Sequence, residues 1–200
     1  MEFLRRAPGH PTSLGILSGT FNPPTRAHLM LAEAGLGIVD QVLFVLPRVL
    51  PHKRYEGVGF TDRLRMIEAA TRDLPRSSLA VTSLGLFDEI AGECREAFGE
   101  AVALKFLCGR DAAERAVNWD YGRPGAFLEM LGGFELLVAR RSGDFHVPPE
   151  MRTRIHSLPV PSKYEEVSAT NVRQRIARGQ SWQHLVPESI AGVVGELYRK

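Results

Sequence analysis

The chain has 200 residues, 25 Lys plus Arg against 23 Asp plus Glu, and 44% hydrophobic residues. That length and apolar content suit one compact domain of the usual ~100–200 residues, large enough to cohere without disulfides or a structural metal. A formal charge of +2 is too small for a nucleic-acid coat, and two cysteines, Cys94 and Cys108, build neither a disulfide framework nor a four-thiolate zinc site. No apolar run approaches the ~18–20 residues of a membrane helix, and the opening MEFLRRAPGHPTSLGIL is broken too early by Pro and Gly for a signal peptide. The expectation is a globular cytoplasmic protein without nucleic-acid or membrane partners, with homo-oligomer formation left open. Arg5-Arg6 reads as a solvated N-terminal pair.

Strands and helices alternate along the chain. An apolar run at 14–17 predicts the first strand, and a helix over 25–34 follows Pro23-Pro24. The run at 42–46 predicts a second strand, and Thr61 is placed to cap a helix through Leu64, Ile67 and Ala70. A strand at 79–82 precedes a helix over 88–98, which sets Ile90, Cys94 and Phe98 at steps of four on one face. Next come a strand at 102–108, a helix over 109–117, and strands at 134–139 and 154–158. A helix over 170–178 stops at Gly179, and a last helix over 187–198 starts on Pro187 with Ile190, Val193, Val194 and Leu197 in one stripe. The strand runs are nearly all apolar without clean alternation, as expected of strands covered on both faces. Repeated alternation of this kind predicts an α/β fold, a doubly wound parallel sheet of about six strands in a single domain. Residues 13–200 would hold the core, with C-terminal helices 170–199 packed on it. Two connections, 47–59 and 141–150, are longer than joining requires.

Two segments suit phosphate. The first strand ends in Ser18-Gly19-Thr20-Phe21-Asn22-Pro23-Pro24-Thr25-Arg26-Ala27-His28. A glycine at a strand end lets phosphates near the backbone, and the following helix aims free N–H groups and its positive end at the same place. The dinucleotide pattern GxGxxG and the P-loop GKS or GKT are both absent. Thr25 and His28 lie three apart on the first turn, a spacing that lets both face one phosphate. Far downstream, Ser168-Ala169-Thr170-Asn171-Val172-Arg173 offers two hydroxyls, a helix start and an arginine. Each segment alone reads as readily as ordinary helix capping. Together they would meet over the carboxyl edge of the sheet, where doubly wound folds bind ligands. No histidine–carboxylate cluster has metal-ligand spacing, and Cys108 reads as a buried small apolar residue because no nearby histidine activates it.

The opening resembles the GTFxPxHxGH mark of the nucleotidylyltransferase superfamily through Gly19, Thr20, Phe21, Asn22, Pro23, Pro24 and His28, with Thr25 replacing its first histidine and Ala27 its glycine. Ser168, Thr170 and Arg173 resemble its ISSTxxR mark. The middle of the chain narrows the resemblance to nicotinate (nicotinamide) mononucleotide adenylyltransferases. Leu50-Pro51-His52-Lys53 is similar to that family's PPHK loop, Gly109-Arg110-Asp111 to its GxD strand end, and Trp119 falls ten residues after Gly109. Leu136-Leu137-Val138-Ala139-Arg140-Arg141 resembles its next strand. Where the family carries Ser-Tyr-Thr after the third strand, this chain has Leu86-Phe87-Asp88.

The resemblance implies a Rossmann-like nucleotidylyltransferase that moves AMP from ATP to nicotinate or nicotinamide mononucleotide, releasing pyrophosphate, in NAD biosynthesis. It implies that His28, Thr25 and Arg173 are catalytic and that Gly19, Thr20, Phe21, His28, Gly109, Asp111, Ser168, Thr170 and Arg173 bind ATP. Asn22, His52, Lys53, Trp119 and Arg140 would bind the acceptor, Trp119 by stacking on the pyridine ring. Mg2+ would arrive on the ATP phosphates, with no protein ligand. Trp182 has no such support and reads as packing. The alternatives are a phosphopantetheine adenylyltransferase, a CTP-dependent cytidylyltransferase, or a non-catalytic nucleotide sensor. Retention of His28, Lys53 and Arg173 favours catalysis over sensing.

Overall fold

In the computed structural model, residues 1–49, 57–139, 146–164 and 167–199 are described. The apolar runs form one seven-stranded sheet. Its strands are β1 (Glu2–Arg5), β2 (Ser13–Ser18), β3 (Gln41–Pro47), β4 (Ser77–Thr82), β5 (Ala103–Gly109), β6 (Glu135–Ala139) and β7 (Ile155–Leu158). The helices are α1 (Arg26–Gly35), α2 (Phe60–Thr71), α3 (Phe87–Phe98), α4 (Arg110–Val117), α5 (Ala126–Met130), α6 (Ala169–Ala177) and α7 (Glu188–Tyr198). The strand order is β1-β4-β3-β2-β5-β6-β7, parallel throughout except for β1.

Every residue of β3 and β4 is buried, which explains runs without alternation. Leu43 and Val45 point to a cluster with Ile90 and Cys94 of α3, Ala113 of α4 and Phe127 of α5. Val42, Phe44 and Leu46 point to the other face, with Leu31 of α1 and Ile67 of α2. Helices on both faces make the sheet doubly wound. A third cluster packs Val172 of α6 and Ile190 and Val194 of α7 against Ala27, Met66 and Ala70, with Trp182 buried among them.

The strand count differs from expectation by β1, whose Phe3 is partly buried against the core. Four residues with mixed polarity carry no periodic signal. They become a strand only by pairing antiparallel with β4 at the sheet edge. The reading of Arg5-Arg6 as solvated fails for Arg5, which is partly buried, while Arg6 remains exposed. The Arg5 guanidinium donates to Thr71 Oγ1 at 3.0 Å and Ser77 Oγ at 2.9 Å. That of Arg6 lies 4.3 Å from the Phe3 ring centre and 4.7 Å from that of Phe98. Helix ends shift by small steps: α2 is capped by Gly59 rather than Thr61, and Pro187 is the residue before α7. No helix among the described residues is long and apolar enough to cross a membrane.

The topology decides where a ligand fits. From β2 the chain steps to β3 and β4 on one side, then crosses back to β5 on the other. Beyond the carboxyl ends of β2 and β5 the two connections diverge and leave a crevice. Ser18-Gly19 and Gly109 stand at those two ends.

Candidate active site

After β2 the chain turns through Phe21, which adopts a positive φ of 46° with its ring buried against Phe44. Thr25 then takes an extended conformation as N-cap of α1. This turns its side chain inward, so Thr25 is fully buried rather than facing a ligand beside His28. Its backbone N–H donates to His28 Nδ1 at 2.9 Å, and its hydroxyl oxygen stands 2.9 Å from the same nitrogen. A backbone nitrogen can only donate, so Nδ1 must accept, and the proton of the neutral ring sits on Nε2. The Phe21 ring meets the imidazole edge-on at 5.2 Å and adds to its support.

The second phosphate-like segment reaches the first through one guanidinium. Ser168 caps α6 by accepting from the Asn171 N–H at 3.1 Å. Arg173 Nη2 donates to Thr170 Oγ1 at 3.2 Å, and Nη1 donates to the Asn22 carbonyl at 2.6 Å. The Asn22 side chain, expected at the acceptor, is buried and accepts from the Tyr198 hydroxyl of α7. The buried Arg63 of α2 donates to the Thr20 carbonyl at 3.2 Å from below. The turn between β2 and α1 is thus held by α2, α6 and α7.

A cavity of about 310 Å³ opens at the crevice. Its walls include Ser18, Gly19, Thr20 and His28 from the β2 side, Leu86 and Phe87 from the start of α3, and Ala112, Arg115, Ala116, Trp119 and Tyr121 from α4 and beyond. Trp119 is 41% exposed, unlike the buried Trp182. Tyr121 stacks on Phe127 at 5.5 Å and donates to the Ala116 carbonyl at 3.0 Å. Burial, helped by Asp88, pushes its phenol up to about 12. Gly109 caps α4, and Asp111 stands exposed in its first turn, 3.8 Å from Arg110. Burial also pushes the Cys108 thiol up to about 12, which leaves it protonated near neutrality.

His52, Lys53 and Arg140 lie outside the described residues, within the undescribed stretches 50–56 and 140–145. Among the described residues no group of three or more His, Cys, Asp or Glu is placed to hold a metal ion. Sequence reasoning missed Tyr198 and Arg115. Nothing local marks Tyr198, which lies 176 residues from Asn22. Nor does anything local mark Arg115, which sits in the last turn of α4 while Trp119 falls beyond the end of that helix.

A strand-end turn facing a helix start across the switch point of a doubly wound sheet suits a nucleotide and its phosphates. The family model described as cytidylyltransferase-like matches residues 16–175. The chain is 31% identical to a protein of Exiguobacterium sibiricum named "Probable nicotinate-nucleotide adenylyltransferase", over 92% of this chain and 96% of that relative. It is 30% identical to a protein of the same name from Moorella thermoacetica, over 94% and 93% of the two chains. The chain belongs to the cytidylyltransferase-like family, among its nicotinate-nucleotide adenylyltransferases. Its fold is similar to that of Plasmodium falciparum nicotinic acid mononucleotide adenylyltransferase complexed with NaAD. The TM-score is 0.67 at 15% identity, covering 93% of this chain and 97% of that one. The same protein complexed with APC gives a TM-score of 0.66.

Proposed function

We propose that residues 1–200 act as one nucleotidylyltransferase unit, an enzyme that transfers AMP from ATP to nicotinate mononucleotide and releases pyrophosphate, in NAD biosynthesis. The observation that carries the reading is a cavity walled both by the Gly19–His28 side and by Trp119. One end offers a phosphate its helix start and histidine, and the other offers a flat ring a stacking partner.

The acceptor's 5′-phosphate is anionic near neutral pH, so the reaction needs no dedicated base. A phosphate oxygen forms a bond to the α-phosphorus of ATP while the bond from that phosphorus to the bridging oxygen breaks, and pyrophosphate leaves with its electron pair. Catalysis then consists of aligning two polyanions and stabilising charge on the phosphoryl oxygens. His28 donates from Nε2 to those oxygens, and Thr25 acts through it by holding Nδ1 as an acceptor. The backbone of Gly19, Thr20 and Phe21 faces the ATP phosphates. Arg173 with Thr170 and Ser168 receives the β- and γ-phosphates, and Asp111 beside Gly109 accepts from the ribose hydroxyls. Lys53 with His52 clamps the mononucleotide phosphate, and Arg140 belongs to the acceptor side. When present, Mg2+ would be held by phosphate oxygens and waters rather than by a protein cage, and would offset the triphosphate charge. The cytoplasm, which supplies ATP, is the proposed compartment.

The test is pyrophosphate release with ATP or CTP against nicotinate mononucleotide, nicotinamide mononucleotide and phosphopantetheine. Release with ATP and a pyridine mononucleotide is expected. Release confined to phosphopantetheine or to CTP would overturn the reading.

A further inference from the structure

The cavity wall beside Trp119 is apolar where the family resemblance leads one to expect hydroxyls. Leu86 and Phe87 stand there, and Phe87 is committed to packing, edge-on to Phe106 at 4.7 Å and tilted against Phe134 at 5.9 Å. Ala112 and Ala116 line the α4 side. Into this surface the last turn of α4 brings Arg115, four residues before Trp119, which lies just past the helix end.

The neighbouring acids do not neutralise it. Asp111 and Glu114 face Arg110, at 3.8 Å and 3.4 Å. Among the described residues no carboxylate lies within 4 Å of the Arg115 guanidinium, whose own contact is a 3.4 Å donation to the Asp111 backbone carbonyl. That bond is long and weak, and a better acceptor would replace it. A guanidinium beside apolar walls and an indole that is 41% exposed suits a flat aromatic ring that carries a negative substituent. The ring covers Trp119, and the substituent accepts two parallel N–H bonds.

We propose that Arg115 is a specificity-determining residue, pairing with the ring carboxylate of nicotinate mononucleotide and so favouring it over the neutral amide of nicotinamide mononucleotide. The inference rests on the acceptor reading given above. An amide presents one oxygen and an NH₂ group that can only donate, so against a guanidinium it forfeits one bond and the charge attraction.

The test is pyrophosphate release by wild type, Arg115→Gln and Arg115→Lys with each mononucleotide, with circular dichroism to confirm folding at this exposed helix position. Wild type is expected to prefer the acid. In Arg115→Gln the ratio of kcat/KM for acid over amide should fall by roughly ten- to a hundredfold, the range of one charge-assisted hydrogen bond, mainly through KM. Arg115→Lys should recover part of the ratio, since it restores charge without the fork. If both substrates lose the same factor, Arg115 serves a group they share, such as the phosphate, and the inference is wrong. An unchanged ratio overturns it as well. If wild type releases pyrophosphate with neither mononucleotide, the acceptor reading fails and takes this inference with it, a result unlike either of the others.

Discussion

Arg173→Lys tests whether the two phosphate segments form one site. The guanidinium bridges Thr170 Oγ1 and the Asn22 carbonyl from two different nitrogens, so a single ammonium cannot hold both. A hydrogen bond from a charged donor is worth ~1.5–3 kcal/mol, and partial exposure here reduces that to about 1–2 kcal/mol. For a chain of this length each kcal/mol moves Tm by ~2–4 °C, so the variant should melt about 2–8 °C lower. If the same fork grips the outer phosphates of ATP, the KM for ATP should rise by roughly ten- to a hundredfold. AMP lacks those phosphates and should lose far less affinity. Differential scanning gives the first quantity, pyrophosphate release the second and competition by AMP the third. If AMP affinity fell as much as that of ATP, Arg173 would act only by supporting the Asn22 turn. If Tm and KM both stayed at wild-type values, the bridging argument itself would fail.

His28→Ala should lower kcat by ~10²–10³ with the fold retained in circular dichroism, as when one transition-state donor is removed, and normal turnover would refute the assignment. Trp119→Ala should abolish the part of the fluorescence quench caused by nicotinate mononucleotide and cost ~1–3 kcal/mol in acceptor affinity, while Trp182→Ala should keep the quench. Asp40 accepts from the Thr12 N–H and hydroxyl, both at 2.8 Å, and from the Ser13 N–H at 2.9 Å, and these bonds hold its carboxyl below the usual range. A depressed folded-state pKa stabilises above the unfolded value and is lost as pH falls through the folded one. Asp40→Asn should therefore lower Tm at neutral pH, and the gap to wild type should close in acid; a pH-independent gap would count against it.

The positions of the central strands and of α1 to α4, α6 and α7 were legible in the chain because periodicity and capping act over a few residues. The same holds for the two phosphate-like segments, whose hydroxyls, glycine and helix starts are contiguous in sequence. The buried runs of β3 and β4 announced a sheet covered on both faces before any partner was known. β1 could not be read this way, since a four-residue edge strand exists only through its pairing with β4. Nor could the inward turn of Thr25, which the capping geometry of α1 and the fit around His28 decide together. The strand order that sets Gly19 opposite Gly109 follows from which sheet faces the helices can cover. The bond from Arg173 to Asn22 spans 151 residues and exists only once that order is set. Arg115 is one more exposed arginine in the sequence; in the folded chain, packing of α4 against β5 and β6 sets its guanidinium in the same crevice as Trp119. Local chemistry thus chose the parts, and long-range packing decided which of them share a cavity.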